Sequence, residues 1–183
     1  VIIMAITAEH IRTTLNACLD QHPEEREQLA PAIGLLEESA DLTSRKEFRG
    51  HATAGAVLTD PAGRVLFIEH LALGKWLLPG GHLESGDTTL ISAALRELTE
   101  ETGIRPQDVV PLSDAPIHID VHPIPANEAE GEAAHQHIDF RFSFGTASDV
   151  RELQAEEVTD AAWRGVGTIG DERLRERVAA AVR

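Results

Sequence analysis

The chain has no tyrosine, one methionine, one cysteine and two tryptophans among its 183 residues. A lone thiol, Cys18, makes no internal disulfide and no zinc–thiolate set, which excludes an oxidised scaffold and a zinc ribbon. Cys18 lies on the apolar side of a helical segment and reads as a small core residue rather than a reactive thiol. Long apolar runs are absent too: nothing approaches the roughly 20 residues that span a bilayer. The opening Val1-Ile2-Ile3-Met4-Ala5-Ile6 is too short for a span or a signal core, and no basic stretch precedes it. A cytoplasmic protein with no membrane partner is therefore expected. Positive charge is scarce, with 16 Lys and Arg against 31 Asp and Glu and a formal net charge of −15. That balance argues against nucleic acid as a partner, since phosphate neutralisation dominates such binding. Trp76, Trp163, Phe48 and Phe67 are what remains for stacking on a base, and core packing explains the two phenylalanines equally well.

The length suits one well-buried core and is short for two ordinary domains. Thr7 offers a helix N-cap, and Ile11, Leu15, Cys18 and Leu19 repeat at helical spacing. A second helix is expected from Pro23, interrupted or restarted at Pro31, with Leu35 and Leu36 near its end. A polar connection, Ser39 to Arg49, follows. Residues 1–50 thus form a helical extension and 51–183 the main domain. Three roles are open to the helical pair: packing on that domain, capping a cleft, or a homodimer contact; packing is the default. Ala52 to Thr59 and Val65 to His70 flank Asp60-Pro61-Ala62-Gly63, a turn signal that predicts a hairpin. Ala161-Ala162-Trp163 suggests a last strand, and Leu174, Val178 and Val182 mark a closing helix from about Asp171.

What is abundant is carboxylate, and it is concentrated. Leu90, Ile91, Ala94, Leu95 and Leu98 give Leu90 to Thr102 one apolar helical face, which Gly103 terminates. Glu97, Glu100 and Glu101 stand at i, i+3 and i+4, so their side chains gather on one side of the helix, expected to be exposed and away from the apolar stripe. Like charges so placed repel by roughly 0.2–0.5 kcal/mol per pair. A divalent cation relieves this, and hard oxygen donors without cysteine favour Mg²⁺ or Mn²⁺. Taken alone, the same residues also describe a solvated acidic helix with Arg96 as counter-charge. Before the helix, Trp76-Leu77-Leu78-Pro79-Gly80-Gly81 is a short apolar strand ending in glycines, where backbone approaches a ligand unobstructed.

This strand, glycine turn, loop and carboxylate helix resemble the Nudix box, G-x(5)-E-x(7)-R-E-U-x-E-E-x-G-U with U aliphatic. Arg96-Glu97-Leu98-Thr99-Glu100-Glu101-Thr102-Gly103-Ile104 matches its second half throughout. Counting from Gly81, Asp87 holds the place of the first glutamate, and one extra residue, within Thr88 to Leu90, precedes Arg96. The resemblance implies an α/β/α sandwich around a mixed β-sheet and metal-dependent hydrolysis of a nucleoside diphosphate linked to another moiety. It also implies that Glu97, Glu100 and Glu101 hold divalent ions, that the Gly81 carbonyl adds a ligand, and that Arg96 orients the first glutamate. Glu97 is the first candidate for deprotonating water; a glutamate outside the box is the alternative, with Glu156 and Glu157 as candidates.

A second constellation alternates apolar and polar residues. Ile117 to His122 and His137 to Phe144 each read as a strand with one polar face, His118/Asp120/His122 and His137/Asp139/Arg141, with His135 just ahead. If the segment 123–134 returns the chain so that they pair, these ionisable groups share one surface and His122, His137, Asp139 and Arg141 become candidates for holding metal or the small-molecule diphosphate substrate. A solvent-facing sheet rich in histidine is the plain alternative. His82, next to the glycine pair, is a further candidate for substrate contact. Two other functions stay in view: a Nudix-like binding or regulatory module without turnover, and an isopentenyl-diphosphate-isomerase-like enzyme. The latter relies on a cysteine near the box, and here Cys18 is far upstream.

Overall fold

A computed structural model describes residues 5–149 and 158–182. The centre is β1 (His51–Thr59), buried along its whole length. It runs parallel to β7 (His135–Thr146), from His51 opposite His137 to Thr59 opposite Gly145. On its other side it pairs antiparallel with the short β4 (Gly80–His82), Ala54 facing Gly81. β7 also pairs with β6 (His118–Ile124) and β5 (Val109–Pro111), both antiparallel. β2 (Val65–His70) carries β3 (Lys75–Leu77) and β8 (Val158–Arg164). The sheet is therefore mixed.

The expected hairpin between β1 and β2 exists only at its tip. Asp60 accepts from the Gly63 and Arg64 amides, Gly63 takes φ 76°, and the two strands pair at Thr59 and Val65 alone. Beyond that they splay, because β1 spends its edges on β7 and β4 while β2 spends its own on β8 and β3.

Side-chain alternation sorts the layers. Ala52, Ala54, Ala56 and Leu58 of β1 and Ile138, Phe140, Phe142 and Phe144 of β7 build the larger core, into which α3 (Leu90–Thr102) packs Leu90, Ala93, Ala94 and Leu98. Three alanines on one strand leave a thin surface on which a helix sits close. Val57, on the opposite face, packs with Val65, Phe67 and Leu174 and Val178 of α4 (Glu172–Ala181), whose N-cap is Asp171. Helices on both faces of a mixed sheet give the expected sandwich.

The N-terminal helices, α1 (Ala8–Gln21) and α2 (Arg26–Glu37), share the larger core through Ile11, Leu15, Cys18, Leu29 and Leu36. Packing is thus what the pair does in the monomer. Thr7 caps α1 by accepting from the His10 amide at 3.0 Å. Pro31 does not interrupt α2, which runs through it after a 3₁₀ turn at Pro23–Glu25. Pro31 and Glu27 are both exposed, so the carbonyl that the proline leaves without an amide partner meets water. Polar contacts also tie the extension to the domain, among them the Leu90 amide, which donates to His10 Nε2 at 2.9 Å, the Arg173 guanidinium, which donates to Gln28 at 2.8 Å, and the fully buried Glu25, which pairs with Arg177 of α4.

Candidate active site

Thr89 caps α3 reciprocally with Ser92, and Gly103 closes it in the left-handed region at φ 70°. Between these stops the three glutamates do not share one exposed face as expected. Glu97 is 9 % exposed and Glu101 1 %, whereas Glu100 remains open to solvent. The reason lies in the spacing: Leu90, Ala94, Glu97 and Glu101 follow at 4, 3 and 4 residues, one core-facing stripe whose last half is carboxylate.

Glu97 meets Gly81 there. A Cβ on Gly81 would stand 2.6 Å from Glu97 Oε1, so any side chain there would displace the Glu97 carboxylate. Arg96 organises the rest. Its Nε and Nη2 donate to Asp87 Oδ1 and Oδ2 at 2.9 and 3.0 Å, Nη1 to Glu97 Oε1 at 2.9 Å and Glu100 Oε2 at 3.2 Å, and Nη2 also to the His82 carbonyl at 2.9 Å. Asp87 additionally accepts from the Glu84 amide at 2.8 Å, so it fixes the loop as well as the arginine. The shorter acid and the extra loop residue thus leave the Arg96 clamp intact. The Asp87 hydrogen bonds, with Glu97 behind them, push the Arg96 pKa above its ordinary value.

β6 and β7 pair as the alternation required: His118 opposite Arg141, Asp120 opposite Asp139, His122 opposite His137. The shared face is only partly open to solvent. His118 is fully buried and Arg141 half-buried within a network. Arg141 Nε donates to Asp139 at 3.0 Å, Nη2 lies 3.5 Å from Asp120, and Nη1 lies 3.3 Å from His118 Nδ1. Burial works against the Arg141 charge, but Asp139 and Asp120 outweigh it and raise its pKa. All three nitrogens are engaged, so Arg141 braces the wall more than it offers a free fork. Asp139 also accepts from Thr53 at 3.1 Å, and His122 pairs with Asp120 at 2.9 Å, which holds the Asp120 carboxyl below its usual range.

Above this face opens a cleft of about 270 Å³ whose lining includes Thr53, Gly80, Gly81, His122, His137, Asp139 and Arg141. Gly81 belongs to both the cleft and the carboxylate corner, which makes them one site. A hollow of about 600 Å³ elsewhere, lined by Leu112, Pro116, Ala180 and Arg177 among others, has no such meeting of groups. His82 points into a histidine cluster, its ring 5.1 Å from that of His137 and 5.3 Å from that of His51. Burial, then neighbouring charges, lowers the His82 pKa to about 4; burial and the surrounding imidazoles lower His137 to about 3.

His135, just ahead of the polar face in sequence, joins the site, and so do His51 and Thr53, which no motif marks; the period-two pattern of β1 extended back by one residue points to His51. Glu156 and Glu157 lie outside the described residues. Of the four aromatic candidates none lines the cleft among its described residues. Phe67 is core, Arg164 covers the Trp76 ring at 4.4 Å, Trp163 donates to Asp149, and Phe48 stays partly exposed beside His135. Cys18 is fully buried, and burial raises its thiol pKa to about 11, unsuited to the isomerase chemistry.

The NUDIX domain family model matches residues 49–182. Over 124 residues the chain is 36 % identical to the probable DHNTP pyrophosphohydrolase of Lactococcus lactis subsp. cremoris, covering 65 % of this chain and 69 % of that one. It is 47 % identical over 62 residues to the phosphatase NudJ of Escherichia coli K12, which is 33 % of this chain and 39 % of NudJ. The fold matches the MutT protein of Methanosarcina mazei Go1 with a TM-score of 0.55 at 22 % identity, over 74 % of this chain and 94 % of that one. No helix among the described residues is long and apolar enough to cross a membrane. With the family model spanning the strands, the Gly81 corner and the glutamate helix, the chain belongs to the NUDIX family, and it is a hydrolase of the pyrophosphohydrolase type.

Proposed function

We propose that the protein hydrolyses the pyrophosphate linkage of a phosphorylated small molecule, a nucleoside diphosphate linked to another moiety or a similar triphosphate, using Mg²⁺ or Mn²⁺ held by Glu97, Glu100, Glu101 and the Gly81 carbonyl. The observation that carries this reading is the seating of the Glu97 carboxylate on Gly81, beside the cleft and under the Arg96 clamp. Divalent metal use is typical of the family, and the donors here fit it: carboxylate and carbonyl oxygens with no sulfur among them. When bound, such an ion offsets charge on the phosphoryl oxygens and makes water a better nucleophile.

The chain supplies the rest. Arg96 holds Glu97 in one orientation, so that its carboxylate accepts a proton from the attacking water without reorganising. Glu100, still open to solvent, takes part in binding. His122, His137 and Asp139, with Arg141 bracing them, form the wall against which the substrate rests, while His82 does not line the cleft and backs His137 from the histidine cluster. Without a cation, a chain of charge −15 would repel a polyphosphate from this corner.

The test is product analysis by ³¹P NMR after incubation with Mg²⁺ or Mn²⁺ and a panel: nucleoside triphosphates, nucleotide sugars, dinucleoside polyphosphates, dihydroneopterin triphosphate and isopentenyl diphosphate. Metal-dependent cleavage between phosphorus atoms, lost in Glu100→Gln, is expected. Tight binding without turnover anywhere in the panel would replace this reading with a ligand-binding module.

A further inference from the structure

Beside the carboxylate corner, the polar faces of β1 and β7 bring histidines together. His51 and His137 are direct partners in the parallel register, and His135 lies two residues along on the same face. Ring centroids are 4.7 Å apart for His51 and His135, 4.9 Å for His51 and His137, and 5.0 Å for His135 and His137. One ring nitrogen from each of the three lies within 4.8 Å of those of the other two.

Backbone carbonyls set which nitrogens are available. His51 Nδ1 lies 3.2 Å from the Glu47 carbonyl and His135 Nδ1 2.8 Å from the Ala133 carbonyl. A carbonyl only accepts, so each Nδ1 carries the hydrogen and each Nε2 keeps a lone pair. His51 Nε2 is buried without a hydrogen-bond partner, a costly state for a polar atom inside a protein. His135 Nε2 stands 3.2 Å from His137 Nε2. Two nitrogens bound to one tetrahedral zinc at 2.0–2.1 Å are about 3.3 Å apart, so this pair already spans one edge of such a site.

We propose that His51, His135 and His137 form a binding site for a first-row transition-metal ion of the zinc class, distinct from the Glu97–Glu100–Glu101 corner. Imidazole donors select zinc and its neighbours rather than magnesium, which prefers oxygen. The Glu47 and Ala133 carbonyls are the outer shell that fixes ring orientation and tautomer. His51 and His135 are buried, while His137 borders the cleft, so the position left by three protein ligands is open to the His82 ring or to an oxygen of a molecule in the cleft. The site stands whether or not the carboxylate corner works as proposed.

The test uses the full chain, stripped of metal with a chelator and titrated calorimetrically with Zn²⁺ in excess Mg²⁺, with Co²⁺ as a spectroscopic substitute. One equivalent of Zn²⁺ that Mg²⁺ does not displace is expected, and Co²⁺ should give the intense visible bands of a tetrahedral nitrogen-ligated ion. His135→Gln and His137→Gln should each lower Zn²⁺ affinity by about 100-fold or more, at least the loss that follows removal of an outer-shell partner. Glu97→Gln should retain it. Zn²⁺ should raise the Tm of the wild type and of Glu97→Gln but not of the histidine variants. Absence of stoichiometric Zn²⁺ binding, its displacement by Mg²⁺, or binding lost in Glu97→Gln and kept in His135→Gln would overturn the proposal and leave a stack of neutral imidazoles. If the histidine variants fail to fold, the wild-type titration against Mg²⁺ and the Glu97→Gln comparison decide.

Discussion

The Glu97 carboxylate rests on the Cα of Gly81, with both of its oxygens within 2.8 Å of where a Cβ would stand. Helix and strand meet there with no room for a methyl group, and the contact fixes how far the carboxylate sits from the cleft. Gly81→Ala should therefore push Glu97 aside. A displacement of about 1 Å at a reacting group costs on the order of 100-fold in rate. A fall of that size in kcat, read by steady-state phosphate release, is expected while the fold persists by circular dichroism; unchanged kcat would show that the contact does not position Glu97.

Asp87 departs from the family's glutamate yet holds Arg96 through two hydrogen bonds. Asp87→Ala should release the arginine and, through it, Glu97 and Glu100, raising the Mg²⁺ concentration for half-maximal activity by about 10–100-fold. Asp87→Glu, which restores the usual residue, should retain activity. A metal dependence that Asp87→Ala leaves untouched would mean that Arg96 needs no second carboxylate.

Much of this corner was legible in the sequence. The start of α3 at Leu90 and its stop at Gly103 follow from local capping chemistry, and the matched box named Arg96 and the three glutamates. Their burial is not legible from charge alone, because Glu97 and Glu101 extend the core-facing stripe of Leu90 and Ala94. The pairing of β6 with β7, on which the shared polar face depends, is observed, and alternation fixes the faces once the strands are neighbours. The parallel pairing of β1 with β7 is different. It joins segments far apart in sequence and no turn signals it, so nothing local marks His51 as a partner of His137. α2 continues through Pro31 because Pro31 and Glu27, whose carbonyl the proline frees, lie on the exposed side of the helix.

The contact between His10 and the first amide of α3 makes a pH prediction. Burial lowers the His10 pKa below the ordinary histidine value of about 6.5, so the folded state resists protonation more than the unfolded chain does. Its stabilising share is complete above pH 6.5 and is lost as pH falls toward the lowered folded value. The difference in unfolding free energy between wild type and His10→Leu, from urea titrations, should narrow from pH 7.5 to pH 5. A difference that widens on acidification would contradict the assignment of a neutral, accepting Nε2.

Glu25 and Arg177 form the buried link between the turn before α2 and α4. Arg177→Met leaves a buried carboxylate without its principal partner and should cost about 3–5 kcal/mol of stability. Adding Glu25→Gln to that variant should recover a large part, because the stranded charge is gone. Equal stability of the single and double variants would show that water reaches Glu25 readily.

The most direct measurement is the steady-state rate of pyrophosphate cleavage as a function of Mg²⁺ for wild type and Glu97→Gln, with folding of both checked by circular dichroism. A neutral amide keeps the shape beside Gly81 but neither accepts the proton from water nor binds a cation as a carboxylate does. A fall in kcat of about 100-fold or more that added Mg²⁺ does not restore is expected. Wild-type kcat with wild-type Mg²⁺ dependence in Glu97→Gln would contradict a metal-binding and proton-accepting role for Glu97.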